Sequence, residues 1–325
     1  MSDRPKKVFI REEGPREGFQ IEPQIFPLED RVRLVEALAE TGLTHIQVAS
    51  FVSPKRVPQM ADSEAFFAAL RKKPGVHYSG LWLNEAGFHR ARACPNVDLS
   101  GRISLYASDA FARQNNGCGA EEMLERQYAW MDLYDQFGIE VEAAMVMAAF
   151  GCNREGPIAP AKVVRMAKGA VELCASRGKI LPKFYLADTM GWGNPDQVRR
   201  LVGAVREVLP DETLLGLHLH DTRGLGLANV LAALEMGVSL FDGSVAGLGG
   251  CPFAGHGDSR AAGNVCTEDL VFLCEELGIE TGVDLDALID CARLAERIIG
   301  RPLNGRLMKA GSLNAYRAIV QEAAQ

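Results

Sequence analysis

The residues best suited to chemistry lie in Leu215–Gly226, where His218 and His220 stand two apart in Leu-Gly-Leu-His-Leu-His-Asp-Thr-Arg-Gly-Leu-Gly. Leu214, Leu215, Leu217 and Leu219 make an apolar run of strand length, so both imidazoles point to one face of a strand. Two imidazoles on one face at a strand end are half of a site for a divalent metal ion. The Asp-Thr-Arg-Gly that follows reads as a turn into a helix. The competing reading is two histidines satisfied by hydrogen bonds in a polar layer, and this stretch alone does not choose between them.

The rest of the chain supplies a frame for the pair. Apolar strand runs begin near Val8, His45, His77, Ile103, Val141, Lys183, Leu214 and Leu240, and helical patterns follow them, for example Glu29–Glu40 and Ala120–Phe137. Eight strand–helix units favour a (β/α)8 barrel, an α/β fold, with a short C-terminal helical extension. No Gly-x-Gly-x-x-Gly follows the first strand, which counts against a doubly wound open sheet. The expected organisation is a catalytic barrel over residues 1–280 and a helical extension over 281–325 packed on it.

A barrel of this kind places its active site at the C-terminal ends of the strands. That filter selects Arg16, Glu17 and Gln20 after the first strand and Gln47 in the second. It adds Asp188 after the sixth, His218 and His220 after the seventh, and Cys251 and Asn264 beyond the eighth. A carboxylate from Glu17, two imidazoles and the amide oxygen of Asn264 suit Mg²⁺, Mn²⁺ or Zn²⁺. Such a set leaves positions for a substrate that chelates through a hydroxyl and a carboxylate. Arg16 brings a permanent cation able to stabilise an enolate oxygen. Cys251, in Gly-Leu-Gly-Gly-Cys-Pro, suits a proton carrier on a mobile lid. Together these parts suit carbon–carbon cleavage or formation through an enolate. Each also has a plain structural alternative: a loop ion pair for Arg16 and Glu17, a helix cap for Asp188 or Asn264, a passive turn for Cys251.

Composition narrows the partners. Lys+Arg 35 against Asp+Glu 42 leaves a net charge of −7 with no basic run, which disfavours nonspecific nucleic-acid binding. No apolar stretch approaches the roughly 18 residues that mark a membrane-spanning helix. The eight cysteines include no Cys-x-x-Cys pair, which fits reduced thiols in a cytoplasmic protein, and no targeting segment is legible at the N-terminus. A homodimer or larger homo-oligomer is expected.

Four runs carry a resemblance. Glu13-Gly-Pro-Arg16-Glu17-Gly-Phe-Gln20, Ser50-Phe-Val-Ser-Pro-Lys-Arg-Val-Pro-Gln-Met60, His218-Leu-His220-Asp-Thr-Arg-Gly and Ser244-Val-Ala-Gly-Leu-Gly-Gly-Cys251-Pro252 resemble the 3-hydroxy-3-methylglutaryl-CoA lyase family, in order, from about residue 8 to about 295. The resemblance implies that Glu17, His218, His220 and Asn264 hold the metal and that Arg16 polarises the thioester oxygen. It also implies that Asp188 is an active-site acid and Cys251 the mobile-loop cysteine. The implied reaction is retro-Claisen cleavage of a 3-hydroxyacyl-CoA to acetyl-CoA and an oxo acid. The first substrate candidate is 3-hydroxy-3-methylglutaryl-CoA, giving acetoacetate.

Two residues depart from the family pattern: Glu17 stands where Asp is usual, and Gln47 where Glu is usual. The loop between Cys251 and Asn264 also looks longer, with His256, Asp258 and Arg260 added. Glu17 moves its carboxylate by one methylene, and Gln47 removes a negative charge. Both changes fit a substrate whose carboxylate sits nearer the metal, so citramalyl-CoA, which would give pyruvate, is the alternative. A non-catalytic acyl-CoA-binding or metal-binding barrel is the alternative of another class.

Overall fold

The computed structural model describes residues 4–250 and 262–323. Cys251, His256, Asp258 and Arg260 lie outside the described residues. The chain divides into two compact units, one of residues 10–98, 243–249 and 265–325, the other of residues 1–9, 99–242 and 250–264.

In the first unit, β1 (Phe9–Glu12, all but its first residue), β2 (His45–Ser50) and β3 (His77–Leu81) pair in parallel, with Arg11 opposite His45 and Gln47 opposite Ser79. Helices follow each strand. The longest of them, Leu285–Ile299, buries Leu288, Ala292, Ala295 and Ile299, a one-face spacing of three and four. Asp284 caps its start by accepting from the Ala287 amide (3.0 Å), and Gly300 ends it in the left-handed conformation.

In the second unit, β4 (Gly101–Tyr106), β5 (Val141–Met147), β8 (Lys183–Asp188), β9 (Leu214–Leu219) and β10 (Leu240–Gly243, all but its last residue) run parallel in the order β4-β5-β8-β9-β10. A small antiparallel hairpin, β6 (Gly151–Cys152) and β7 (Gly156–Pro157), follows β5. In β8 and β9 the residues Phe184–Ala187 and Leu215–Leu219 are buried without alternation, as expected of parallel strands covered on both faces. Helix Pro195–Arg206 starts with a capping box between Asn194 and Gln197 and buries Val198, Leu201, Val202 and Val205.

The eight parallel strands match the apolar runs read from the sequence to within a few residues. The structure adds elements that periodicity did not show. Helix Gly14–Ile21 occupies a stretch read as loop, and helices Asp109–Asn116, Leu307–Ala310 and Leu313–Ala323 are further additions. No described helix is long and apolar enough to cross a membrane.

Candidate active site

In the unit containing β9, strand register assembles the histidines. Parallel pairing sets Asp242 of β10 directly opposite His218 of β9, and Asp242 Oδ2 lies 2.9 Å from His218 Nδ1. His220, just past the strand, forms an isolated bridge with Asn264, and its Nδ1 lies 3.1 Å from the carbonyl oxygen of Ala262. A carbonyl only accepts, and an ionised carboxylate only accepts, so both rings carry their hydrogen on Nδ1. Both Nε2 atoms are then lone-pair donors to a metal, and they face one another at 3.1 Å. Two such lone pairs repel unless a cation or proton lies between them.

The spacing suits a metal. Two ligand nitrogens about 2.1 Å from one ion at a right angle lie about 3.0 Å apart. A carboxylate or carbonyl on the remote ring nitrogen is also the usual support of a metal-bound imidazole. The residues present therefore fit a divalent ion. His218 is 9% exposed and His220 4%, so the pair sits in a largely water-excluded place. Asn264 is buried beside them in the bridge. It does not cap the next helix: Thr267–Glu276 has Cys266 at its N-cap position and no side-chain cap bond. That removes the plain alternative for Asn264.

Asp188 ends β8 fully buried. Its Oδ1 accepts from the Trp192 amide (2.7 Å) and its Oδ2 from the Gly193 amide (2.9 Å). Burial pushes its carboxyl up to about 6, against the opposing pull of those two amides and the charge of Arg223. The expected acid thus also holds the loop ahead of Asn194. Arg223 ties the same loop by donating to the carbonyl oxygens of Met190 (2.8 Å) and Gly191 (2.9 Å). Asp221 Oδ1 accepts from the Gly226 amide (2.7 Å), so the Asp-Thr-Arg-Gly run is the expected turn into a helix.

In the other unit, helix Gly14–Ile21 carries Arg16, Glu17 and Gln20. Its start is set by Pro15 in the first turn, where a missing N–H costs nothing. Arg16 and Gln20 are four apart and share a face. Arg16 Nε donates to Gln47 Oε1 and Nη2 donates to Glu13 Oε2, while Nη2 lies 3.4 Å from Glu17 Oε2. Gln20 Oε1 accepts from Ser50 Oγ (2.8 Å). The structure thus brings Arg16, Glu17, Gln20 and Gln47 together around one helix.

Close packing fixes Glu17. Gly249 has φ +102°, and a Cβ there would come 2.8 Å from Glu17 Cγ; a Cβ on Gly18 would come 2.7 Å from Leu248 Cβ. The Ser244–Gly249 loop therefore lies directly on the helix face carrying Glu17, and only glycine permits it at both contacts.

Supports that sequence reasoning missed are buried acids. Glu12 accepts from the amides of Gly14 (2.7 Å) and Val245 (2.8 Å) and from Thr267 Oγ1. Glu268 Oε2 accepts from the Ala246 amide (3.0 Å). Burial pushes Glu12 up to about 7 and Glu268 up to about 8, the latter helped by neighbouring Asp269. These two acids anchor the turn at Ala246, whose φ of +57° is unusual for a residue with a Cβ. Asp242 and Glu13 are two more buried acids. The only sequence signal of Asp242 is a charged residue after an apolar strand run, and Glu13 follows the charged end of β1.

Comparison with known proteins gives the family. The HMGL-like family model matches residues 7–295. The 3-hydroxy-3-isohexenylglutaryl-CoA/hydroxymethylglutaryl-CoA lyase of Pseudomonas aeruginosa is 39% identical over 306 residues, covering 94% of this chain and 97% of that one. A crystal structure of hydroxymethylglutaryl-CoA lyase from the same organism superposes with a TM-score of 0.85 at 39% identity over 95% of this chain and 98% of that one. A lyase from Acinetobacter baumannii, solved with coenzyme A and 3-methylmalate, gives a TM-score of 0.84 at 37% identity over 94% and 96%. The chain therefore belongs to the HMGL-like family of lyases and has its (β/α)8 fold with C-terminal helices.

Proposed function

We propose that this enzyme is a divalent-metal-dependent lyase that cleaves 3-hydroxy-3-methylglutaryl-CoA to acetyl-CoA and acetoacetate. The observation that carries this reading is the His218–His220 pair, whose two Nε2 lone pairs converge at 3.1 Å in a buried place. In this reading Glu17 and Asn264 complete the ligand set. The ion is Mg²⁺ or Mn²⁺, with Zn²⁺ as third choice, and when bound it supplies Lewis acidity to the substrate's hydroxyl and carboxylate oxygens.

The protein's own groups do the rest. The C2–C3 bond of the substrate breaks and its electron pair passes into the thioester, forming an enolate of acetyl-CoA. The C3 hydroxyl loses its proton as its oxygen becomes the ketone of acetoacetate, and C2 gains one. Arg16 stabilises the enolate oxygen, a fixed cation aimed at charge that appears only as the bond breaks. Asp242 holds His218 in the Nδ1–H form. Asp188 and Cys251 serve the proton transfers, with Gln20 and Gln47 shaping the site around Arg16. The buried thiols among the described cysteines fit a cytoplasmic enzyme. Its partner is the acyl-CoA, with a homo-oligomer as the working form.

The test is to incubate the purified protein with Mg²⁺ or Mn²⁺ and, separately, 3-hydroxy-3-methylglutaryl-CoA and citramalyl-CoA, and to identify the oxo acid by mass. Acetoacetate from the first thioester at the higher kcat/KM is the expected result. Pyruvate from citramalyl-CoA at the higher kcat/KM would move the assignment there, and release of no acetyl-CoA from either would overturn it.

A further inference from the structure

Arg16 is held along one edge. Its Nε and Nη2, which share one edge of the planar guanidinium, donate to Gln47 Oε1 and Glu13 Oε2. Its remaining nitrogen, Nη1, has no hydrogen-bond partner among the described residues, and the side chain is 14% exposed. The two holders are far more buried than the group they hold. Glu13 is 1% exposed and Gln47 0%.

The holders are themselves fixed. Glu13 Oε1 lies 2.7 Å from Arg11 Nε, so its carboxylate is held between two arginines. Gln47 sits on β2, and only its oxygen can accept from Arg16 Nε, which sets the amide orientation. Its Nε2 then has no partner among the described residues. A buried amide that leaves its own donors unsatisfied in order to present its oxygen costs free energy, which argues that the bond to Arg16 matters.

We infer that Glu13 and Gln47 are positioning residues: by occupying the Nε/Nη2 edge they lock the guanidinium plane of Arg16 and present Nη1 alone to the oxygen that gains charge. Neither touches the substrate in this role; both act through Arg16. The inference rests on the proposed role of Arg16 but is not the same claim, because the edge could be locked whatever the enzyme cleaves.

A double-mutant cycle separates positioning from plain stability. Gln47→Met should lower kcat about tenfold with KM nearly unchanged, and Arg16→Met should lower it by ~10²–10³, the scale of a lost oxyanion donor. The double variant should be no worse than Arg16→Met alone. Gln47→Glu, which keeps an acceptor for Nε, should recover most of the loss. Glu13→Ala should show the same non-additivity with Arg16→Met; where it fails to fold, the Gln47 cycle carries the test. The second readout is the Arg16 Nε–H signal in ¹⁵N NMR, assigned by its absence in Arg16→Lys: slow solvent exchange in the wild type and fast exchange in Gln47→Met. Additive losses in the cycle, or unchanged exchange in Gln47→Met, would overturn the inference. Protection of the Nε–H in a protein that cleaves neither thioester would leave the lock standing and remove only the proposed reaction.

Discussion

The histidine pair and the Arg16 cluster are built by opposite means. His218 and His220 are placed by backbone: strand register sets Asp242 beside one ring, and the Ala262 carbonyl orients the other. Arg16 and Glu17 are placed by side chains on a single short helix, through Glu13, Gln47 and Arg11, with glycines at 18 and 249 allowing close packing. The first arrangement gives two neutral nitrogens with fixed lone pairs, which suits a metal ion. The second gives a permanent cation with one free edge, which suits an oxygen whose charge changes. Rigid register serves a ligand that stays; a side-chain lock serves an interaction needed only as a bond breaks.

The largest expected effect tests the histidine side. His220→Ala removes one lone pair of the converging pair and should lower the rate of acetyl-CoA release more than about 10³-fold, since several kcal/mol of transition-state charge stabilisation depends on the ion. Activity within tenfold of wild type would mean that the pair is a satisfied polar layer and no metal site.

A smaller effect sharpens the role of register. Asp242→Asn keeps an acceptor opposite His218 Nδ1 but removes its charge. Metal affinity should fall about 10–100-fold, the usual cost of altering the partner of a metal-bound imidazole. An unchanged dissociation constant in a competition assay with a chelating dye would show that Asp242 only completes the strand.

The contrast also explains what could be read from the sequence. His-x-His announces itself because a strand's period of two puts both rings on one face, and apolar runs such as Phe184–Ala187 placed the strands well. Helix Gly14–Ile21 was hidden because its charged residues follow Gly-Pro and only Phe19 and Ile21 supply apolar spacing. The roles of Glu13 and Asp242 have no local signature, since what they do depends on which residue lies opposite in three dimensions. Glu12 and Glu268, 256 positions apart, meet the same short turn at Val245 and Ala246, and no local pattern could pair them.

Those two acids give the smallest expected effect. A buried carboxyl whose pKa is raised above its unfolded value binds more protons when folded, so its stabilising contribution is present at low pH and lost as pH rises through the folded value. For Glu12 and Glu268 the window runs from about 4.5, their ordinary value, to about 7 and about 8. The wild-type Tm should therefore fall between pH 5 and pH 8, and Glu268→Gln should flatten that fall by roughly 2–5 °C. Parallel pH–Tm curves for the two proteins would contradict the assignment of Glu268 as a buried neutral acid.

Calorimetric titration of Mn²⁺ into metal-stripped protein tests the central division most directly. Wild type and Arg16→Lys should each bind one ion per chain with similar affinity, although the lysine variant turns over poorly, while His218→Ala should bind none. A His218→Ala protein that still binds one ion as tightly as wild type would contradict the account.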